Sequence, residues 1–125
     1  MTNARAPSEM LCPAIQAAVG LLGRPWTGLI LAALEDGPLR YSELSARVGD
    51  IGDRMLACRL KELEASGVVS RTVTPATPVR VTYALTEVGR GFGDVAAALE
   101  RWGRALVEVQ GDRPPTSCQG ASEEP

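Results

Sequence analysis

The chain has 125 residues, 45% of them apolar, and a formal net charge of −2, which suits one compact domain with a core of Leu, Val, Ile and Ala. Histidine is absent, so His-based acid–base catalysis and His metal ligation are excluded; the three cysteines, Cys12, Cys58 and Cys118, give no metal spacing and no even disulfide framework. No apolar run reaches the roughly 20 residues of a membrane span, the first ten residues lack the order of a signal peptide, and a reducing cytoplasm is the expected compartment.

Residues 1–10 and 111–125 are polar, Pro-containing stretches expected as disordered tails, leaving 11–110 as the domain. Cys12-Pro13 opens a first helix, because Pro suits the first helical position, and Ile15, Val19 and Leu22 follow the helical step. Gly23-Arg24-Pro25 breaks it. A second helix carries Trp26, Leu29, Ile30, Ala33 and Leu34 on one stripe and stops at Asp36-Gly37-Pro38. A short helix from about Tyr41 to Val48 points Tyr41, Leu44 and Val48 inward. The turn Gly49-Asp50-Ile51-Gly52 leads to a helix from about Asp53 to Ser66, with Leu56, Leu60 and Leu63 on its buried face and Gly67 as its terminator. Two helices joined by a Gly-bearing turn form the helix-turn-helix pattern.

The period then drops to two. Val79, Val81, Tyr83 and Leu85 alternate with Arg80, Thr82 and Ala84, which predicts a strand with one buried face. Val68 to Val73 is its partner, across the Pro-stiffened loop Thr74-Pro75-Ala76-Thr77-Pro78. The fold class is therefore mainly α with a small β-hairpin, a winged helix-turn-helix domain with N- and C-terminal dimerisation helices. Thr86 caps a final helix, with Glu87 in the first turn. Along it Val88, Phe92, Val95, Leu99, Trp102, Leu106 and Val109 are spaced alternately by four and three. One helix cannot satisfy such a seam alone. The chain's own first helix could cover it, as could a helix of a second subunit; Ile15, Val19, Val95, Leu99, Trp102 and Leu106 are the candidate dimer contacts.

Steps of about 100° per residue set Arg54, Cys58 and Lys61 opposite the leucine face of the 53–66 helix, with Ala57 and Arg59 flanking them. Arg and Lys on a helix that enters a major groove read guanine edges or hold phosphate. A solvated helix face would look the same in isolation; the preceding turn and following hairpin favour DNA contact. Arg80 sits beside the stiff loop, where a wing reaches the minor groove or phosphate, and Arg40 and Arg71 are further phosphate candidates. The charge distribution agrees: residues 40–90 hold seven Arg and one Lys against six acids, whereas residues 91–125 hold three Arg against six. Cys12, at or near the cap of the first helix, faces unpaired N–H groups that favour a thiolate. The alternative is a small apolar residue with a structural role.

The order of residues resembles the HxlR-type family of winged-helix regulators, relatives of the MarR group. The resemblance rests on Cys12-Pro13, Gly23-Arg24-Pro25-Trp26-Thr27, and Gly37-Pro38-Leu39-Arg40-Tyr41-Ser42-Glu43-Leu44. It continues through Leu60-Lys61-Glu62-Leu63-Glu64, Gly67-Val68-Val69-Ser70-Arg71, Pro78 to Thr86 with Gly89, and Trp102-Gly103, covering roughly residues 12–104. It implies a homodimeric cytoplasmic transcription factor on a near-palindromic operator, with Cys12 at the position where several members sense quinones, aldehydes or peroxides. The chain departs from the family at Gly52, where Ser is usual and the cap is expected to pass to Asp53, and at Ala57, where a hydroxyl residue is usual. No second, resolving cysteine corresponds clearly, which leaves alkylation or a mixed disulfide as the thiol chemistry.

The sequence thus reads as a dimeric DNA-binding regulator, a repressor in preference to an activator. It shows no catalytic constellation, metal site or cofactor motif; its partners are double-stranded DNA, a second copy of itself, and a small electrophile or organic ligand, with no membrane. Two alternatives stand beside it: a ligand-responsive regulator in which Cys12 is structural, and a winged-helix protein-interaction module without DNA binding.

Overall fold

A computed structural model describes residues 12–111; the expected tails, apart from Gly111, and Cys118 lie outside the described residues. Helix α1 (Pro13–Leu22) starts at Cys12, with Pro13 in the first turn. After a tight elbow come α2 (Thr27–Ala33) and a 3-10 turn (Leu34–Asp36), then β1 (Leu39–Arg40), α3 (Tyr41–Val48) and α4 (Asp53–Ala65). Strands β2 (Val69–Thr74) and β3 (Arg80–Leu85) follow, then the single turn α5 (Glu87–Arg90) and the long helix α6 (Phe92–Gln110). Two compact units result, one ending at Gly93 and one beginning at Asp94. Within the first lies a winged helix-turn-helix.

The core of that unit is leucine-rich. Ile30, Leu31, Leu34, Leu44, Leu56, Leu60 and Leu63 are all at most 2% exposed, and burying each such side chain stabilises the fold by about 1.5–3 kcal/mol. Helix α4 ends in a Schellman motif: Val68 N–H donates to Leu63 O at 3.0 Å and Gly67 N–H to Glu64 O at 3.0 Å, with Gly67 at φ 81°. That motif aims the chain straight into β2. Thr86 then ties the far end of β3 back to the same place. Its N–H donates to Val68 O at 2.9 Å, and its Oγ1 accepts from Gly89 N–H at 3.1 Å. Gly89 is buried so tightly there that a Cβ would stand 2.2 Å from Val68 O.

Several expectations are corrected. The sheet has three strands in the order β1-β3-β2, because the two-residue β1 pairs antiparallel with β3 at Leu39↔Tyr83 and Arg40↔Thr82; two residues are too few to give a period. Val79 lies in the loop and is 59% exposed. In α2 the buried face is Thr27, Ile30, Leu31 and Ala33, while Leu29 is exposed: the period holds but its phase is rotated by about one residue. Trp26 precedes the helix, at φ 72°. The final helix is broken at Gly91, leaving Val88 on α5. Gly89, Gly91 and Gly93 concentrate low helix propensity at that point, and the docking of Gly89 fixes the direction of α5. The cap of α4 is Gly52, with no side-chain bond, and Asp53 is the first helical residue.

Candidate nucleic-acid interface

The helix-turn-helix is held at both ends of its turn. Leu44 on α3 is fully buried, Ile51 in the turn is 6% exposed, and Tyr41 Oη donates to Asp53 O at 2.8 Å. That bond lies among groups that oppose ionisation: burial first, then the Asp53 carboxylate and Tyr83, push the Tyr41 phenol above its ordinary range. Tyr41 therefore keeps its proton and its donor role through the whole neutral range. Arg40 N–H donates to Glu43 Oε1 at 2.8 Å, which caps α3. Arg47 bridges from α3 to Ala33 O at 3.2 Å and to Asp36 at 3.3 Å.

With its leucine face turned inward, α4 presents Arg54, Ala57, Cys58 and Lys61 outward, and all four are exposed. Arg59 is not among them. Its side chain is buried, with Nε donating to Pro25 O at 2.9 Å and an ion pair to Glu62 at 3.2 Å. A charge on a helix period is normally read as solvent-facing; the carbonyl of Pro25 is what allows this one inside, and only tertiary structure reveals it.

The sheet register sorts the three candidate arginines onto two faces. Arg71 pairs with Tyr83, and Tyr83 with Leu39, so these share one face. Arg40 pairs with Thr82, two residues from Arg80, so Arg40 and Arg80 share the other. Two recesses follow from this. One, of about 360 Å³, is lined by Ala57, Leu60, Lys61, Glu64, Arg71 and Tyr83, and joins α4 to β2. The second, of about 260 Å³, lies in the wing and brings Arg40 and Arg80 together around Ala76 to Val81. Arg54 and Cys58 line neither. Cys58 instead lies by the Arg59–Glu62 pair, with Sγ 3.8 Å from Glu62 Oε2. The arrangement is one recess between α4 and the sheet, where Lys61 and Arg71 meet, and a second in the wing on the opposite sheet face, where Arg40 and Arg80 meet.

Cys12 stands apart from both. It is exposed, at the N-terminal cap of α1, where the N–H groups of Ile15 and then Ala14 lower its pKa below the ordinary thiol range. On α1, Ile15 is 55% and Val19 64% exposed; on α6, Val95, Leu99, Trp102 and Leu106 are 37–63% exposed. Neither helix buries a residue.

The family profile described as HxlR-like helix-turn-helix matches residues 21–111. The HTH-type transcriptional regulator YodB of Bacillus subtilis (strain 168) is 43% identical over 98 residues, which is 78% of this chain and 88% of that protein. The solved structure of reduced YodB from B. subtilis superposes with a TM-score of 0.71 at 41% identity, covering 86% of this chain and all of the other. The quinone-bound form of YodB gives a TM-score of 0.67 at 39% identity, over 76% of this chain and 99% of that one.

Proposed function

This chain belongs to the HxlR-like helix-turn-helix family of transcriptional regulators, and from that premise we propose that it acts as a homodimeric DNA-binding repressor whose occupancy of a near-palindromic operator is set by chemistry at Cys12. The observation that carries the DNA-binding part is the exposed face of α4, with a recess beside it that joins Lys61 to Arg71 and a second recess in the wing that joins Arg40 to Arg80. Arg54 and Lys61 are positioned for base edges or phosphates in the major groove. Lys61 with Arg71, and Arg40 with Arg80, are suited to the flanking phosphates.

A dimer is the form in which this reading works. Two copies of α4 must be held about 34–36 Å apart to enter successive major grooves on one side of the duplex. The exposed apolar stripe of α6 supplies one surface for a second copy, and Ile15 and Val19 of α1 supply another. An adduct on Cys12 adds bulk at the start of α1 and changes that spacing. The known quinone-bound form of YodB supports an electrophile as the agent. A protein working on operator DNA belongs in the cytoplasm, and among the described residues no single helix is long and apolar enough to cross a membrane.

Selection of duplexes from a random pool by the full-length protein tests the DNA reading. The expected result is one enriched, two-fold-related sequence whose binding weakens steeply with salt, because phosphate contacts release counterions. Salt-insensitive or undetectable binding would favour a protein-interaction module instead.

A further inference from the structure

Helix α1 buries none of its residues, yet its elbow to α2 is gripped by α4 at two points. Arg59, 6% exposed, donates from Nε to Pro25 O at 2.9 Å and pairs with Glu62 at 3.2 Å. The other oxygen of Glu62 accepts from Arg24 at 2.7 Å. One point holds elbow backbone and the other holds elbow side chain. Between them and α2 sits Trp26 at φ 72°, a conformation that a residue with a large side chain keeps only when its surroundings fix it.

An apolar contact tolerates sliding; charge-assisted hydrogen bonds are short and directional. A shift of the elbow therefore moves the Arg59 and Glu62 stretch of α4. Those residues interleave with Ala57, Cys58 and Lys61 on the same two turns. We propose that Arg59 and Glu62 are positioning residues that couple the setting of α1 to the orientation of α4, so that a change at the start of α1 reaches the DNA-reading face through the Arg24–Pro25 elbow. The inference rests on α4 being that face. Cys12 lies one helix length, about 15 Å, from the elbow, too far to touch it but on the same rigid rod.

The test uses the full-length protein and the duplex it selects. Arg24 and Glu62 side chains are 51% and 37% exposed, so an Arg24→Ala, Glu62→Gln double variant is expected to fold and to bind within about threefold of wild type. Capping with N-ethylmaleimide, corrected by a Cys12→Ser control, is expected to shift wild-type affinity about tenfold. In the double variant the shift shrinks below about twofold; an undiminished shift overturns the proposal. Arg59→Lys keeps the charge but loses the Nε bond, and is expected to lose the shift likewise. If capping leaves wild type unchanged, or no duplex is selected, the functional reading fails by itself. Amide hydrogen exchange of the DNA-free protein then decides the coupling. Exchange about tenfold faster in both 23–28 and 54–58 of the double variant supports the coupling, and acceleration confined to 23–28 overturns it.

Discussion

Helices α4 and α6 carry equally regular apolar stripes and meet opposite fates. Leu56, Leu60 and Leu63 of α4 are at most 2% exposed, whereas Leu99 of α6 is 42% and Trp102 63% exposed. The two stripes differ little in sequence: both recur at steps of three and four. What differs is the opposing surface. The 12–93 unit supplies leucines from α2 and α3 to the core that covers α4, whereas α6 buries none of its own residues. A period thus states that a face will be covered and leaves open by what. In the homodimer proposed above, a second copy covers the α6 face, and folding and association would then be one event.

The largest effects separate those two situations. Leu60→Ala leaves a cavity in a closed core and is expected to lower stability by about 2–5 kcal/mol in thermal or denaturant unfolding. Leu99→Asp or Trp102→Asp places charge in the open stripe, and sedimentation is expected to find monomers or unfolded chain. A wild type that sediments as a monomer at micromolar concentration would break the comparison, since the α6 stripe would then need no cover.

A smaller effect sharpens the picture at the point where the two units part. Gly89→Ala sets a Cβ against the carbonyl of Val68, and backbone cannot yield as a side-chain tip does. A loss of about 1–3 kcal/mol is expected from overpacking of this kind, read as a lower thermal midpoint. A variant of unchanged stability would mean that α5 is free to move off the sheet.

Much of this was legible because local chemistry and tertiary fate agreed. Pro13, Gly67, Thr86 and the loop before β3 mark boundaries through backbone conformations that few other residues accept as well. The leucine spacing of α4 also gave its buried face. The failures share a cause. Leu29, Arg59 and β1 were decided by partners distant in sequence: the core beneath α2, the carbonyl of Pro25, and β3. The break at Gly91 was visible as three glycines within five residues, but the heptad spacing across it read as one helix. At the candidate interface, residue types point to Arg40, Lys61, Arg71 and Arg80, whereas only the sheet register and the recess between α4 and β2 show which of them converge.

On the DNA side, Arg54→Ala and Lys61→Ala should each weaken binding to the selected duplex by about 1–3 kcal/mol where a base contact is lost. Arg80→Ala should lower the salt slope by about one, with little change in preferred sequence. Unchanged affinity in all three variants would mean that the exposed face of α4 is a solvated surface, and the contrast with α6 would then concern folding alone.

The finest distinction lies between the two cysteines that ride on these contrasting kinds of helix. Cys12 caps an α1 without buried residues and faces free N–H groups; Cys58 lies mid-helix on α4 beside the Glu62 carboxylate. The N–H groups of Ile15 and Ala14 hold the Cys12 thiol below its ordinary value, so its folded pKa is depressed relative to the unfolded chain. For an acid shifted in that direction, the stabilising contribution is present above the unfolded value and is lost as pH falls through the folded one. Cys12 is fully solvated, so the reaction rate is a better readout than stability. Alkylation of Cys12, followed by mass spectrometry of its peptide, should reach half its limiting rate at a lower pH in native protein than in protein unfolded by urea. At neutral pH it should run a few-fold faster than in the unfolded chain, because more of the nucleophilic thiolate is present. Inserting glycine between Cys12 and Pro13 displaces the sulfur from the helix end and should abolish the difference. Identical pH profiles in native and unfolded protein would show that the helix terminus does not activate this thiol, and an effector acting through Cys12 would then need another source of reactivity.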